Sequence, residues 1–405
     1  MAFVRSGLTV YLRPVSQATP AQLGDEDNTI HARRAALSAV WRHALLTTIA
    51  LLAVIVPHVV ASGYRVTDFI QIGRKFAAPL GITSLATSPV GYDGQYFYFM
   101  AAFPGQFPPG AFDFPALRYS RMLYPALIRL FSLGNVAAMP WVMLGINLVA
   151  IVATVALVGC LVTERGGRPW LALAAGLYAG QPLAMLRDLS DPLAIFWLAL
   201  ALFGVSRRRW LLAGAALGFG MLTRESTLLF VICFALPLCF ERRWRLLALY
   251  TVLALGGYAL WQGMLRACLG TWGWNESTHI NVFLPVPFGG LASTPNPILG
   301  LQMFILACVP AIYVVAGGIL LMARRPWHDA LALAVATAAI AYGFALLLQP
   351  GIHWLDIWEP YRLAAPLAVL LPLLLTLLKP KPAQRKIGLF VLGLMLYSFL
   401  LPLLT

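Results

Sequence analysis

Acidic side chains are scarce in this chain: fifteen Asp and Glu stand among 405 residues, and charged residues of both signs make up 11%. Soluble globular domains carry about a quarter, so this composition cannot clothe an ordinary water-facing surface. Cysteine is sparse too. The five cysteines fall mostly inside apolar runs and show no CxxC spacing, which leaves neither a disulfide framework nor a zinc site to read. No GxSxG or HExxH constellation occurs, and that removes the two commonest protease readings.

What is abundant is apolar sequence, 60% of the chain, with a mean hydropathy of +0.80. "ALLTTIALLAVIVPHVVAS" at 44–62 opens a series that continues at 137–161, 169–185, 191–205, 210–222, 227–240, 246–265, 300–322, 329–348, 361–378 and 387–404. A bilayer is crossed by about 18 or more consecutive apolar residues. The expectation is an all-α polytopic membrane protein with ten or eleven transmembrane helices. Residues 1–42 are polar, with "GDEDN" at 24–28 and no apolar core before residue 35. They read as an N-terminal cytoplasmic tail rather than a cleavable signal, and 43–405 as the integral membrane domain.

The net charge of +14 invites a nucleic-acid reading, and the placement of the charge answers it. Nineteen of the 29 basic residues gather at the N-terminus and in alternate loops, as in Arg165, Arg168, Arg207–Arg209, Arg242, Arg243, Arg324, Arg325 and Lys379–Lys386. The positive-inside rule makes those loops cytoplasmic. No nucleic-acid partner is expected.

The opposite loops are 63–136, 186–190, 223–226, 266–299 and 349–360, and nine of the fifteen acids lie in or beside them. Several are at helix ends, in "LRDLSDPLA", "MLTREST" and "WLDIWEPYRLAAP". Ionised groups at membrane depth are costly and persist at functional or paired positions. Arg187 with Asp191, or Arg224 with Glu225, could each be a local pair finishing a helix. Taken together on one face, with no comparable acid–base mixture in the basic loops, they predict loops converging on one polar site. Nothing in the spacing names a metal: Asp93, Asp188 and Asp191 offer oxygen ligands that suit Mg²⁺ or Mn²⁺, but no obligate cofactor is expected.

The first outer loop, 63–136, is far longer than a connection requires. Residues 92–103 of "VGYDGQYFYFMAAFPGQFPPG" predict an aromatic-rich helix and 104–116 a turn region; 119–133 carry apolar positions at helical spacing with Arg121 and Arg129, an interfacial helix. The aromatics could form no more than a belt at the lipid boundary. Asp93 is not explained by a belt. In the second large loop, 266–299, "NES" at 275–277 fits an N-glycosylation triplet.

The "YDGQYFYF" stretch, the following "RYSRMLYPALIRL" and the helix end "WLLAGAALGFGMLTREST" together resemble the membrane glycosyltransferases of the C superfamily. The likeness is nearest to bacterial cell-surface glycopolymer proteins with a "YDGQFYY" motif and to the mannosyltransferases that build glycosylphosphatidylinositol anchors. Tyr92 stands where those mannosyltransferases have Trp, and Glu225 where they have Pro. The resemblance implies an inverting transfer of a sugar, with mannose one candidate, from a polyprenyl-phosphate donor to a lipid-linked or cell-surface glycan. The reaction would take place on the extracytoplasmic face of a bacterial cytoplasmic membrane. It implies Asp93 as the general base, with Asp68 as the alternative.

A leaving phosphate gains charge as its glycosidic bond breaks, and arginine forks stabilise it. Arg121 and Arg362, then Arg118, Arg224 and His353, are the expected phosphate contacts. Tyr92, Gln95, Tyr96, Arg187, Asp188, Asp191, Glu225, Asp356, Glu359 and Tyr361 are expected to line the substrate site, and Gly94 to let backbone approach the substrate. Spans such as 191–205 and 361–378 would groove the prenyl tail. Two competing readings are a transporter or flippase for a lipid-linked saccharide and a non-catalytic subunit of a polysaccharide assembly. The charges lie at one face rather than the midplane, and no internal repeat of the transporter kind is seen.

Overall fold

A computed structural model describes residues 20–106, 108–278, 282–356 and 358–403, the side chains of 20–36, 277–278 and 402–403 aside. The described chain is helical, with two isolated β-bridges in the first loop and no strand. Twelve helices organise it. They are α1 (Pro20–Ala61), α2 (Gly94–Ala102), α3 (Leu123–Phe131), α4 (Met139–Glu164), α5 (Asp191–Ser206) and α6 (Trp210–Thr223). Then come α7 (Leu228–Phe240), α8 (Trp244–Leu269), α9 (Pro297–Ala323), α10 (Ala330–Leu347), α11 (Trp358–Leu378) and α12 (Pro382–Tyr397).

Among the described residues, seven helices are long and apolar enough to cross a membrane: α1, α4 and α8 to α12. This is an all-α polytopic membrane protein. Of the ten or eleven spans expected, α5, α6 and α7 are apolar helices of only 16, 14 and 13 residues, short of that length. The run 169–185 is not one span at all. It breaks into a 3₁₀ turn and two short helices, Leu173–Leu177 and Gly180–Met185. The break falls at Tyr178, whose backbone is extended, and Gly180 beyond it lets the segment press against α11, since a Cβ there would stand 2.1 Å from the Tyr361 carbonyl oxygen. The expected tail through residue 42 is, from Pro20 onward, a helical extension of α1; residues 1–19 lie outside the described residues.

Local chemistry sets the helix ends. α4 and α5 each begin with proline in the first turn, where the missing N–H is no loss. Asp329 caps α10 by accepting from Ala332 N at 3.1 Å, and Gly270 closes α8 at φ +75°. A π-helical stretch, Phe304–Cys308, lies within α9.

Packing follows chain order on one side, α1 on α4, α4 on α5, α5 on α6 and α6 on α8, with α7, α9, α10 and α11 forming the other side. Gly218 lets α6 approach α8 closely, since a Cβ there would meet the Leu253 carbonyl oxygen at 2.3 Å; small residues at such crossings serve helix association in lipid. α11 is the centre of the bundle, 89% buried over its most apolar window against 17% for α8. Trp41, Leu45, Ile49, Leu52 and Val56 of α1 are exposed, an apolar stripe that only a bilayer would cover.

The first loop is built rather than trailing. α2 and α3 form where the sequence predicts them, with turns between. The aromatics of α2 are not a boundary belt: Tyr96, Phe97, Tyr98 and Phe99 are all buried. They core the loop, with Tyr96 stacked on Phe112 and Phe97 edge-on to Tyr124 at 5.3 Å. α3 buries Tyr124 and Ile128 and exposes Leu130 and Phe131, the two-faced pattern expected of an interfacial helix.

The end of the bundle remote from this loop mixes charges more than the sequence predicts. Arg165 pairs with Asp329, Arg207 with Glu164 and Arg208 with Glu241. Each pair ties two helix ends together, and all lie at the ends opposite Asp191 on α5. The five cysteines are free thiols.

Candidate functional site

Asp93 is the residue before α2, where an aspartate ordinarily turns its carboxylate to the first backbone N–H groups. Here it makes no such cap. Its Oδ1 lies 3.1 Å from Arg118 Nη1 and its Oδ2 3.6 Å from Arg362 Nη1, with a quarter of the side chain exposed. Arg362, on the first turns of α11, reaches three carboxylates: Asp93, Asp191 at 3.4 Å and Glu359 at 3.4 Å. Asp191 in turn holds Arg224. Arg118 grips Asp113 through two hydrogen bonds of 2.9 and 2.7 Å, and Arg121 grips Glu225 through two of 2.9 and 2.5 Å. His353 Nδ1 lies 2.9 Å from Glu359 Oε1. Four of the five loops at 63–136, 186–190, 223–226, 266–299 and 349–360, or helix ends beside them, thus meet in one network.

Burial by itself would raise the pKa of the Asp93 carboxyl. Arg118 and Arg362, with Arg121 and Arg224 behind them, outweigh it and hold the carboxyl well below the usual carboxylate range. The sign is that of a depressed acid: its stabilisation is complete above the ordinary value of 3.8 and is lost as pH falls through the lower folded value. Any activity that needs ionised Asp93 therefore keeps its acid limb below pH 3.8. Arg118→Gln, which removes the nearer cation, moves that limb upward; a rate–pH profile from about pH 3 to 7 checks it.

Gly94 has a reason that the sequence did not give. A Cβ at this position would stand 2.2 Å from the Arg187 carbonyl oxygen and 3.2 Å from that of Ile70. The close approach is to the chain's own backbone, not to a substrate. Gly94→Ala forces the Asp93 turn away from the 186–190 segment; a loss of about 1–3 kcal/mol in chemical denaturation is the expected result. An unchanged midpoint would mean the turn gives freely.

Several expected site residues are elsewhere. Gln95 is buried, its Oε1 accepting from Gly73 N at 2.9 Å and its Nε2 donating to Val90 O at 3.1 Å, so it staples the 71–91 segment. Tyr96 is in the loop core under Arg118, whose guanidinium lies 4.4 Å from the ring centre. Tyr361 is fully buried and edge-on to Tyr178. Asp68 pairs with Arg65 at 3.5 Å, and no ion pair or hydrogen bond among the described residues joins it to the Asp93 network. Asp356 is at the rim, accepting from Trp358 N and Glu359 N.

Asp188 is fully buried in a left-handed turn, φ +50°, with neither carboxylate oxygen hydrogen-bonded. Burial drives its pKa well above the ordinary range. Among the described residues no three His, Cys, Asp or Glu side chains gather to hold a metal ion, so Asp93, Asp188 and Asp191 do not form the oxygen site that their number allows.

The arginines expected to hold phosphate are engaged already. Arg118, Arg121, Arg224 and Arg362 each face at least one carboxylate. Two residues outside the expected set matter: Asp113, the second partner of Arg118, and Trp358, whose ring centre lies 4.0 Å from the Arg187 guanidinium. Asp113 is one of the nine acids of these loops, but it stands five residues before Arg118 across a proline, a spacing with no helical meaning that did not mark it as a partner. Glu276 of the "NES" triplet accepts from Leu117 N at 2.9 Å and ties the second large loop to the first.

Two larger cavities lie in this half of the molecule, the first of them against the network. One, about 330 Å³, is lined by Leu117, Ser120, Glu225, Tyr258 and Trp274. The other is an almost wholly apolar groove of about 450 Å³ on the flank of α3, α4 and α5, lined by Leu127, Phe131, Ile146, Val149, Leu193 and Phe196. A small crevice lies between α5 and α11, where a prenyl groove was expected, but it is faced by Asp191, Arg224 and Arg362. Compared with known proteins, the chain matches no family model, no curated protein and no solved structure.

Proposed function

We propose that this membrane protein is an inverting glycosyltransferase that moves a sugar from a polyprenyl-phosphate donor to a glycan or glycolipid acceptor. The reaction takes place at the extracytoplasmic face of a bacterial cytoplasmic membrane. The observation that carries the reading is Asp93: an ionised carboxylate, free of backbone hydrogen bonds, partly open and steadied by two guanidiniums. An acceptor hydroxyl attacks the anomeric carbon, the carbon–oxygen bond to phosphate breaks with its electron pair going to phosphate, and the hydroxyl proton passes to Asp93. Because Asp93 is a weak base, the proton moves late, when the attacking oxygen has become acidic.

The apolar groove beside α3 suits a prenyl chain, and α3 packs on α2, whose first residue follows Asp93. Mannose is the sugar that the mannosyltransferase-like motifs favour. The orientation rests on the basic residues of the remote loops.

The test is direct. The purified chain in lipid nanodiscs receives radiolabelled polyprenyl-phosphate sugars and extracted membrane acceptors, and labelled product is expected with one of the donors. Donor carried across liposomes without product formation would make the chain a transporter instead.

A further inference from the structure

Four guanidiniums flank Asp93, and a fifth, that of Arg187 over the neighbouring Tyr92 ring, differs from the rest. Arg118, Arg121, Arg224 and Arg362 are paired with Asp93, Asp113, Asp191, Glu225 and Glu359. That network holds one more carboxylate than guanidinium, so an incoming anion finds no uncompensated cation in it. Arg187 has no carboxylate within ion-pairing distance among the described residues, and its Nε is buried without a hydrogen-bond partner. Its guanidinium lies over two aromatic rings instead, 4.0 Å from the centre of Trp358 and 5.8 Å from that of Tyr92. The nearest acid in electrostatic reach is Asp356, whose carboxylate accepts the N–H groups of Trp358 and Glu359.

A half-buried charge without a counter-ion is costly, and one partner removed from such a pair is the expensive case. Aromatic faces return part of that cost but leave the N–H edge of the fork unmet. The Arg187 main chain abuts Gly94, and Tyr92 precedes Asp93. An anion on the free edge of Arg187 would therefore lie next to the Tyr92 ring, one residue along the chain from Asp93.

We infer that Arg187, stacked on Trp358 and Tyr92 beside Asp93, is an oxyanion subsite that receives the phosphate of a lipid-linked ligand. The planar fork matches phosphate oxygens two at a time. In the transfer reaction this is the phosphate that departs, and its growing charge is met by the only site guanidinium not already neutralised. The lipid character of the ligand rests on the glycosyl-transfer reading; the anion site itself does not.

The experiment uses the full chain in nanodiscs of neutral lipid, with dodecyl phosphate and inorganic phosphate as probes, followed by calorimetry and phosphorus NMR. Dodecyl phosphate is expected to bind, and Arg187→Gln to weaken it by about tenfold or more, with Arg187→Lys recovering part because it keeps charge without the fork. Asp93→Asn binds at least as tightly, since a repelling carboxylate is gone. Unchanged binding in a folded Arg187→Gln overturns the subsite. Should that variant not fold, Trp358→Leu, which loses the stack and no charge, must weaken binding several-fold; equal binding there overturns it as well. Inorganic phosphate binding as tightly as dodecyl phosphate overturns the lipid-linked ligand and leaves the anion site standing. Binding that depends on Arg187 in a protein that transfers no sugar sinks the transferase reading alone.

Discussion

Asp93→Asn reduces sugar transfer by about two to four orders of magnitude, the contribution of a positioned general base, while the protein folds and binds donor as before. The variant separates chemistry from architecture because the amide has the size of the carboxylate and the flanking cations keep other partners. Arg118 retains Asp113, and Arg362 retains Asp191 and Glu359. What is lost is a proton acceptor beside the attacking hydroxyl. Initial rates with saturating donor, read beside the thermal midpoint, test it. Transfer within a few-fold of the parent would leave Asp93 as an ion-pair residue and nothing more. A midpoint that collapsed with the rate would point the same way.

Arg362→Met has the second large effect, and on stability first. The guanidinium is 5% exposed and bridges three carboxylates contributed by the first loop, by α5 and by α11 itself. Removing one partner of a buried ionic cluster costs about 3–5 kcal/mol, because the remaining charges are left uncompensated. The lower end is expected here. Asp93 keeps Arg118, Asp191 keeps Arg224, and Glu359 keeps His353. Unfolding in detergent with denaturant measures the loss, and neutralising one carboxylate in the same background, as Asp93→Asn, should return part of it, because Arg118 retains Asp113. A cost below about 1 kcal/mol, the scale of exposed pairs, would mean that the network holds nothing together. Transfer in Arg362→Met should fall as well, since Asp93 loses one of its two anchors.

The two variants mark how far the sequence could be read. Composition and run length were enough for an all-α membrane protein, because a bilayer leaves helices few alternatives. They did not give helix lengths where runs were short or broken, as at 169–185, since hydropathy does not register an extended residue such as Tyr178 inside an apolar run. The acids and arginines at helix ends were legible as a set. Their partners were not: Arg121 meets Glu225 across 104 positions, and no local rule reports such a distance. Gln95 and Tyr96, next to Asp93 in sequence, turn into the loop core because α2 carries successive residues to different faces.

The order of apolar runs, the sign of the loop charges and the presence of Asp93 in an aromatic first loop are properties of the sequence by itself. They follow from how water and lipid partition side chains. Which guanidiniums of the site are neutralised, and that Arg187 pairs with no carboxylate among the described residues, was decided only when the loops folded against one another. Pairing depends on distances of a few ångströms, and those exist only in the packed bundle.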